Sequence, residues 1–162
     1  YFLGNFGVQI EGTQITMVSP TKKLKIGNWV NQGLPFYSGS VVYETSAAIK
    51  RESSEHIFLQ VPEYGGTAVR MLVNGASVGI VAWQPNEVEI TDFVKEGMNE
   101  FAIEVISHRR NSHGPFHNSE IWPEWTGPEQ YVSTGKDWTD TFQLVPCGLT
   151  AGPRLVRKKQ IY

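Results

Sequence analysis

Two tryptophans in a short, proline-rich acidic segment are the side chains of this chain best suited to recognise a ligand. Trp122 and Trp125 lie in residues 120–129, EIWPEWTGPE, where their flat faces could be exposed beside carboxylates. A pyranose ring has a face of C–H groups that stacks on such rings, while Glu120 could accept hydroxyl protons. The alternative is that both tryptophans cover a sheet end or pack on a neighbouring domain, because large aromatics dominate both roles.

A second polar segment precedes the first, at residues 109–117, RRNSHGPFH. Arg109, Asn111 and His117 carry hydrogen-bond donors for sugar hydroxyls or for a sugar acid, and an arginine pair suits a carboxylate. The alternative is structural: the Gly-Pro dipeptide makes a turn, and the polar side chains satisfy backbone carbonyls. The sequence leaves both alternatives open.

Three histidines in the same region, His108, His113 and His117, raise the question of a metal. Their spacing lacks a nearby cysteine and lacks the H-E-x-x-H helix of zinc enzymes, so it matches no zinc pattern. The prediction is that this chain holds no transition metal and needs no cofactor.

The carboxylates do not predict catalysis by this chain alone. A glycosidase needs two of them about 5–10 Å apart across the scissile bond. The pairs Glu120 with Glu124 and Asp137 with Asp140 are close in sequence, but surface loops of any protein contain such pairs. The sequence also lacks the G-x-S-x-G elbow and a glycine-rich phosphate loop.

Composition excludes several classes of function. The formal net charge is −2 and 19% of residues are charged, so nucleic acid is an unsuitable partner. The one basic run, Arg154 to Lys159, is predicted to be a solvated tail or a linker. No apolar stretch approaches the ~20 residues of a membrane span. The single cysteine, Cys147, cannot form an intrachain disulfide.

Apolar and polar residues alternate along most of the chain, which predicts strands rather than helices. The expected buried faces are Val41, Tyr43, Thr45, Ala47 and Ile49; Ile57, Leu59 and Val61; Val69, Met71 and Val73; and Phe101, Ile103 and Val105. Sixteen glycines and nine prolines separate these runs, as in a two-sheet sandwich. We therefore predict one all-β domain spanning residues 1–162.

Local signals refine this prediction. Asn74-Gly75 predicts a tight hairpin turn between strands at 69–73 and 77–82. Residues 91–97 predict a one-turn helix, capped by Thr91 or Asp92 and ending at a left-handed Gly97. The first 30 residues are expected to supply an edge strand next to the last strand. Two long irregular stretches, 19–39 and 107–140, are typical of functional or interface loops.

Residues 34–43, LPFYSGSVVY, together with residues 69–117, from VRMLVNG to NSHGPFH, resemble a known family. It is the sugar-binding jelly-roll domain of β-galactosidase/β-glucuronidase-type glycoside hydrolases and related large bacterial glycosidases. The resemblance covers roughly residues 30–150. It implies a jelly-roll β-sandwich of the galactose-binding-domain-like kind, without catalytic carboxylates of its own.

The resemblance also implies a function and partners. The chain is expected to be a non-catalytic carbohydrate-binding or accessory domain, excised from a larger bacterial glycoside hydrolase whose catalytic domain it contacts. The alternative is a purely structural interdomain module without a ligand. Sandwiches of this class often hold a structural calcium, but no D-x-D-x-D signature places one here. A periplasmic or extracellular location would suit such a parent protein.

Overall fold

The structure is a computed structural model that describes residues 2–50, 52, 54–120 and 125–159. Within these residues the chain forms nine strands and three short helical turns. The strands are β1 (Gly7–Glu11), β2 (Gln14–Val18), β3 (Ser40–Ile49), β4 (Glu55–Gln60), β5 (Ala68–Val73), β6 (Ala76–Val81), β7 (Glu87–Glu89), β8 (Gly97–Ile106) and β9 (Arg154–Lys159). The helical turns are a 3₁₀ turn at Trp29–Gln32, α1 (Arg110–His113) and a 3₁₀ turn at Pro128–Gln130.

Seven of the strands form two antiparallel sheets that pack face to face. One sheet has the order β3-β8-β5-β6 and the other the order β7-β4-β9. Between β3 and β9 the chain passes repeatedly from one sheet to the other, as in a jelly roll. The predicted all-β sandwich is therefore confirmed.

The core lies between the two sheets and is built from alternate residues of each strand. The buried members of the predicted faces are Ile49, Ile57, Leu59, Val61, Val69, Met71, Val73, Phe101, Ile103 and Val105. Alternation puts their neighbours on the outer faces, so each strand contributes one side to the core. Thr45 is an exception, because it lies exposed near the open edge of β3.

The hairpin between β5 and β6 has the predicted turn. Asn74 and Gly75 have φ of 50° and 82°, and Val73 pairs with Ala76 across the turn. Two positive φ values are the signature of the type I′ turn, whose twist matches that of the strands. The Asn74 side chain also donates to Asn99 Oδ1 at 2.9 Å, which ties the turn to buried Asn99 at the start of β8.

Residues 91–97 differ in detail from the predicted helix. They form hydrogen-bonded turns, with Val94 N donating to Ile90 O at 3.2 Å, and Gly97 has the expected left-handed φ of 89°. Thr91 does not cap this segment, because its hydroxyl accepts from Ile57 N at 2.9 Å on β4. The Thr91 hydroxyl oxygen, predicted to cap the helix locally, is therefore used in a long-range hydrogen bond.

Both chain ends depart from their predictions. β1 and β2 pair only with each other in the described residues, so the expected edge strand beside β9 is wrong. The basic run is likewise not a tail, because it forms β9 along β4. Its cations face carboxylates: Arg157 pairs with Glu55 at 2.9 Å, Lys158 with Glu87, and Lys159 with Glu52 at 3.4 Å. Opposite charges on neighbouring strands make the pairing favourable.

No helix in the described part of the chain has the length and hydropathy of a membrane span.

Replacing Gly75 with Val should lower the free energy of unfolding by about 1 kcal/mol or more, because a β-branched residue is strained at positive φ. Urea denaturation of both proteins measures the difference. Ala76→Val is the matched control, since that residue begins β6 and a β-branched side chain suits a strand. Equal stability of Gly75→Val and wild type would contradict the strained turn.

Candidate functional site

The segment between β8 and β9, residues 107–153, forms no strand in its described residues, and it builds the loop end of the sandwich. It leaves β8 where Ser107 N donates to Gly39 O at 3.1 Å, and α1 follows at once. It returns to the sheets where Gly65 and Gly148 exchange two backbone hydrogen bonds of 2.8 Å. Both polar segments singled out in the sequence lie within this stretch.

Asn111 is buried and bound to the backbone rather than open to a ligand. Its Nδ2 donates to Val145 O at 2.8 Å, and its Oδ1 accepts from Val145 N at 2.9 Å. The amide thus pairs with both backbone groups of Val145, as a residue of a neighbouring strand would. These two hydrogen bonds join α1 to the returning chain. This is the structural alternative that the sequence left open for this residue.

His117 is held in a fixed orientation by aromatic rings. Its ring stacks on Trp138 with centroids 4.4 Å apart and tilts against Phe142 at 4.6 Å. Nδ1 lies 2.9 Å from Thr139 O, and since a carbonyl oxygen only accepts, Nδ1 carries the hydrogen. In the neutral ring Nε2 is then an acceptor of the kind that a sugar hydroxyl requires.

A cavity of about 310 Å³ opens beside this histidine. It is lined by His113, Gly114, Pro115, Phe116, His117, Gln130, Tyr131 and Val132. Its volume is at the lower end of small-molecule sites, and its wall combines aromatic rings with hydrogen-bonding groups. The chemistry of the wall therefore fits a ligand about the size of one sugar ring.

Tyr131 is the residue of this cavity that the sequence did not single out. Its hydroxyl donates to His113 O at 2.6 Å, yet the residue is 55% exposed. The bound hydroxyl already restricts the side chain, so little side-chain entropy remains to be lost when a ligand stacks on the exposed ring. The only sequence signal was an aromatic residue beside a polar one in an irregular loop.

Of the two tryptophans in the acidic segment, the structure describes one. Trp125 is 64% exposed and lies against Gly127, whose N donates to Gln130 Oε1 at 2.6 Å. The Trp125 ring is therefore near the cavity rim, although it does not line the cavity. Trp122 lies outside the described residues.

The two charged candidates are both exposed. Arg109 precedes α1, and its carbonyl accepts from His113 N at 2.9 Å. Glu120 is exposed next to the undescribed residues 121–124, and its N donates to Asn118 Oδ1 at 2.9 Å. The structure thus brings Arg109 and His117 to the region of the cavity and assigns Asn111 to the framework.

Two further tryptophans, Trp29 and Trp83, have opposite environments. Trp29 is fully buried in the core, whereas Trp83 is 81% exposed between β6 and β7. Only Trp83 has a face open to solvent, and it does not line the loop cavity.

The histidines do not converge on a metal. Burial lowers the pKa of His108, which is half-buried, while His113 and His117 line the cavity. Within the described residues, no three His, Cys, Asp or Glu side chains are placed to hold an ion. A calcium site built from backbone oxygens stays a prediction.

A second, larger concavity lies along the open edge of the sandwich beside β3. Its volume is about 550 Å³, and its base includes the apolar side chains Leu59, Phe101, Ile103 and Leu149. β3 pairs with β8 on one side only, and no described strand covers its other edge. This groove differs from the loop cavity in being mainly apolar.

Comparison with known proteins shows likeness in structure alone. No protein-family model matches the chain, and no curated protein matches it. Among solved structures, the chain is similar to the rhamnosidase from Novosphingobium sp. PP1Y, with a TM-score of 0.56 and 18% identity over 94% of this chain. It is also similar to an FMN-binding β-glucuronidase from Facaelibacterium prausnitzii L2-6 (TM-score 0.49, 15% identity, 94% of this chain).

A β-glucuronidase from Bifidobacterium dentium is similar over 50% of this chain, with a TM-score of 0.44 and 22% identity. The chain spans only 14%, 21% and 14% of the lengths of these three proteins, in the order given. This chain is thus much shorter than these proteins, and at 18% identity the likeness to the rhamnosidase shows the fold alone.

Replacing Asn111 with Ala should destabilise the fold by about 2–3 kcal/mol, because Val145 would keep two buried peptide groups without partners. Thermal and urea unfolding measure this loss. Arg109→Ala is the matched control: the side chain is exposed, so stability should stay within about 0.5 kcal/mol of wild type. An Asn111→Ala protein as stable as wild type would refute the framework role.

Proposed function

We propose that this chain is a non-catalytic accessory domain of a glycoside hydrolase and that it binds carbohydrate at its loop end. The observation that carries the proposal is the cavity of about 310 Å³ with Tyr131 fixed on its wall. The size of the structural neighbours supports the accessory role, since each is several times longer than this chain.

A sugar ring would stack on the exposed face of Tyr131. The anchored hydroxyl holds the ring against His113 O, so binding need not order a mobile side chain. Trp125 offers a further exposed face near the rim, and Trp122, three residues earlier in the chain, is a third candidate. Stacking on aromatic faces suits a ligand that is apolar on one side and hydroxylated around its edge.

The hydroxyl groups would be met by polar atoms around this surface. His117 Nε2 accepts when the ring is neutral, and Gln130 Nε2 donates, its Oε1 being used by Gly127. Arg109 and Glu120 are exposed nearby and can bind hydroxyls from the rim. Asn111 is left out of this proposal because its amide is occupied.

The wall of the cavity supports a binding role rather than hydrolysis. Glycosidases require two carboxyl groups facing each other across the bond that breaks. Among the described residues, no Asp or Glu lines the loop cavity. In the proposed arrangement the catalytic carboxylates belong to a separate catalytic domain, and this chain holds or positions carbohydrate for it.

The second candidate function is a structural interdomain module, and the apolar groove favours it. Ile26 and Leu155, which line the groove above a base of buried core residues, are 52% and 38% exposed. Apolar surface that stays open to water is unfavourable, so a module of this kind would be stabilised by a catalytic domain packed against it. In that case the loop cavity would have no ligand.

Sugar binding should weaken when a stacking ring is removed. Tyr131→Ala, Trp125→Ala and Trp122→Ala are each expected to reduce binding by about 1–3 kcal/mol, in line with the loss of buried aromatic surface. Dissociation constants for plant and host oligosaccharides, measured by tryptophan fluorescence and NMR titration, should be near millimolar, because an open loop buries little of the sugar.

The matched control is Trp83→Ala, which removes an exposed tryptophan outside the cavity and should leave affinity unchanged. If no sugar changes the signals at millimolar concentration, or if the ring variants merely unfold, the structural-module function replaces the proposal.

The isolated chain should not hydrolyse any member of a panel of aryl glycosides, because the loop cavity lacks a described carboxylate pair. Release of nitrophenol is the measurement. Activity that persists through purification and disappears when one Glu or Asp is replaced would show that the chain is itself an enzyme.

A further inference from the structure

We infer that two copies of this chain associate through the open edge of β3, which pairs antiparallel with the same strand of the second copy. The four-stranded sheets of the two copies then form one continuous sheet across a two-fold axis at Thr45. This inference is independent of carbohydrate binding at the loop end. It rests on the length, the composition and the free backbone groups of β3.

The sandwich is closed along one side and open along the other. On the closed side β6 lies against β7, where the Val88 side chain packs on Gly79. On the open side, among the described strands, β3 pairs only with β8 and β9 only with β4. The groove of about 550 Å³ lies between these two open edges, because its lining residues come from both β3 and β9.

The two open edges differ in how they are protected from pairing. Edge strands are commonly protected by cationic side chains, prolines, bulges or short length. In β9, four of the six residues are cationic: Arg154, Arg157, Lys158 and Lys159. β3 has ten residues, pairs with β8 without a bulge, and contains no proline and no cation, its one charge being Glu44. The composition of β3 is therefore that of a strand with a partner on both sides.

Backbone hydrogen bonds show which residues of β3 face the open edge. In an antiparallel pair, alternate residues direct both backbone groups to the same neighbour. Ser107 N donates to Gly39 O at 3.1 Å, and this alternation assigns the odd-numbered residues of β3 to β8. Asn74 N donates to Glu100 O at 2.9 Å, which agrees, because it directs the even-numbered residues of β8 towards β5. The even-numbered residues of β3 therefore face the open edge.

Four of these even-numbered residues are exposed, and no hydrogen bond among the described residues reaches their backbone groups: Val42, Glu44, Ser46 and Ala48. Ser40 differs, because its carbonyl oxygen accepts from the Tyr37 hydroxyl at 2.9 Å. The four free residues are spaced symmetrically about Thr45, so a two-fold axis at that residue superimposes the set on itself.

This axis makes the edge self-complementary. It places Val42 opposite Ala48 of the second copy, and Glu44 opposite Ser46 of the second copy. Each such pair exchanges two hydrogen bonds, so the four pairs provide about eight. A register centred on Glu44 would instead put two carboxylates opposite each other and would require the occupied Ser40 carbonyl. A register centred on Ser46 would shorten the paired stretch.

The same register explains why Thr45 is exposed although alternation places it on the inner face of the sheet. On the axis it lies opposite itself in a non-hydrogen-bonded pair, where side chains are closest and two threonine hydroxyls can bond. Tyr43 lies opposite Ala47 of the second copy, which covers part of the groove. Because the paired strands run in opposite directions, the two loop cavities lie at opposite ends of the dimer.

The mass of the whole 162-residue chain in solution is the first test. Sedimentation equilibrium from about 1 to 100 μM protein covers weak and moderate dimers. At the upper end of this range we expect twice the 18.2 kDa of one chain. The mass of a single chain throughout the range would overturn the inference.

Two lysine variants at adjacent positions should have opposite effects. Thr45→Lys puts like charges opposite each other on the axis and should lower the association constant by about tenfold or more. Ser46→Lys puts a cation opposite Glu44 of the second copy and should raise it. Thr16→Lys adds the same charge on β2 and should change nothing. Circular dichroism checks that each variant is folded, and equal losses at positions 45 and 46 would overturn the register.

Cross-linking locates the axis without adding charge. A residue on the axis meets itself at a Cα separation of about 4.5 Å, within the range of disulfides. Val42 is six residues from its symmetry mate along the strand direction, about 20 Å away. Mild oxidation should therefore link Thr45→Cys chains and leave Val42→Cys chains single on a non-reducing gel. Wild type, whose Cys147 is buried, is the baseline. A dimer in which Thr45→Cys does not cross-link, or in which both variants do so equally, would refute the pairing.

Discussion

The packing of two sheet faces against each other is the constraint on which the rest of this structure depends. Along β4, β5 and β8 alternate side chains lie between the sheets, and the hydrophobic ones among them are almost completely buried. Burial of a large aliphatic side chain contributes about 1.5–3 kcal/mol, so the set outweighs any single polar contact in the chain. Trp29 closes the core from the loop end, where it packs edge-on against Tyr37 at 6.0 Å.

The irregular segment 107–153 is stabilised in a different way. Its described residues form no strand, so their backbone groups need partners elsewhere, and side-chain amides supply several of them. Asn111 pairs with Val145, Asn118 donates to Gln130 O at 3.1 Å, and Asn28 Oδ1 accepts from Cys147 N at 3.0 Å. These bonds are long-range and lie near or within the core, which explains how a segment without strands can present a cavity of definite shape.

The two concave surfaces serve different kinds of contact. The loop cavity combines a fixed aromatic ring with polar atoms, as ligand sites do, whereas the groove beside β3 is lined mainly by apolar side chains, of which Ile26 and Leu155 are exposed. Both surfaces are built on the same two-sheet sandwich. Such a fold acts mainly as a scaffold, and its function depends on the loops.

The core strands, the hairpin turn and the left-handed Gly97 could be predicted from the sequence, because alternation and positive φ depend on neighbouring residues. It also located the segment that forms the loop end. Which side chains of that segment are available to a ligand depends on long-range packing. Asn111 has the donors of a binding residue, but its partner Val145 is 34 positions away, and no local pattern reveals that pairing.

The same reason explains the other differences. Tyr131 became a candidate through its hydrogen bond to His113 O, 18 positions away. Only the packing of the core distinguishes buried Trp29 from exposed Trp83. The basic run at 154–159 looked like a solvated tail because its counter-charges lie on β4 and β7 and just before β4. Local periodicity specifies an element and its buried face, whereas contacts between distant residues follow from how the elements pack.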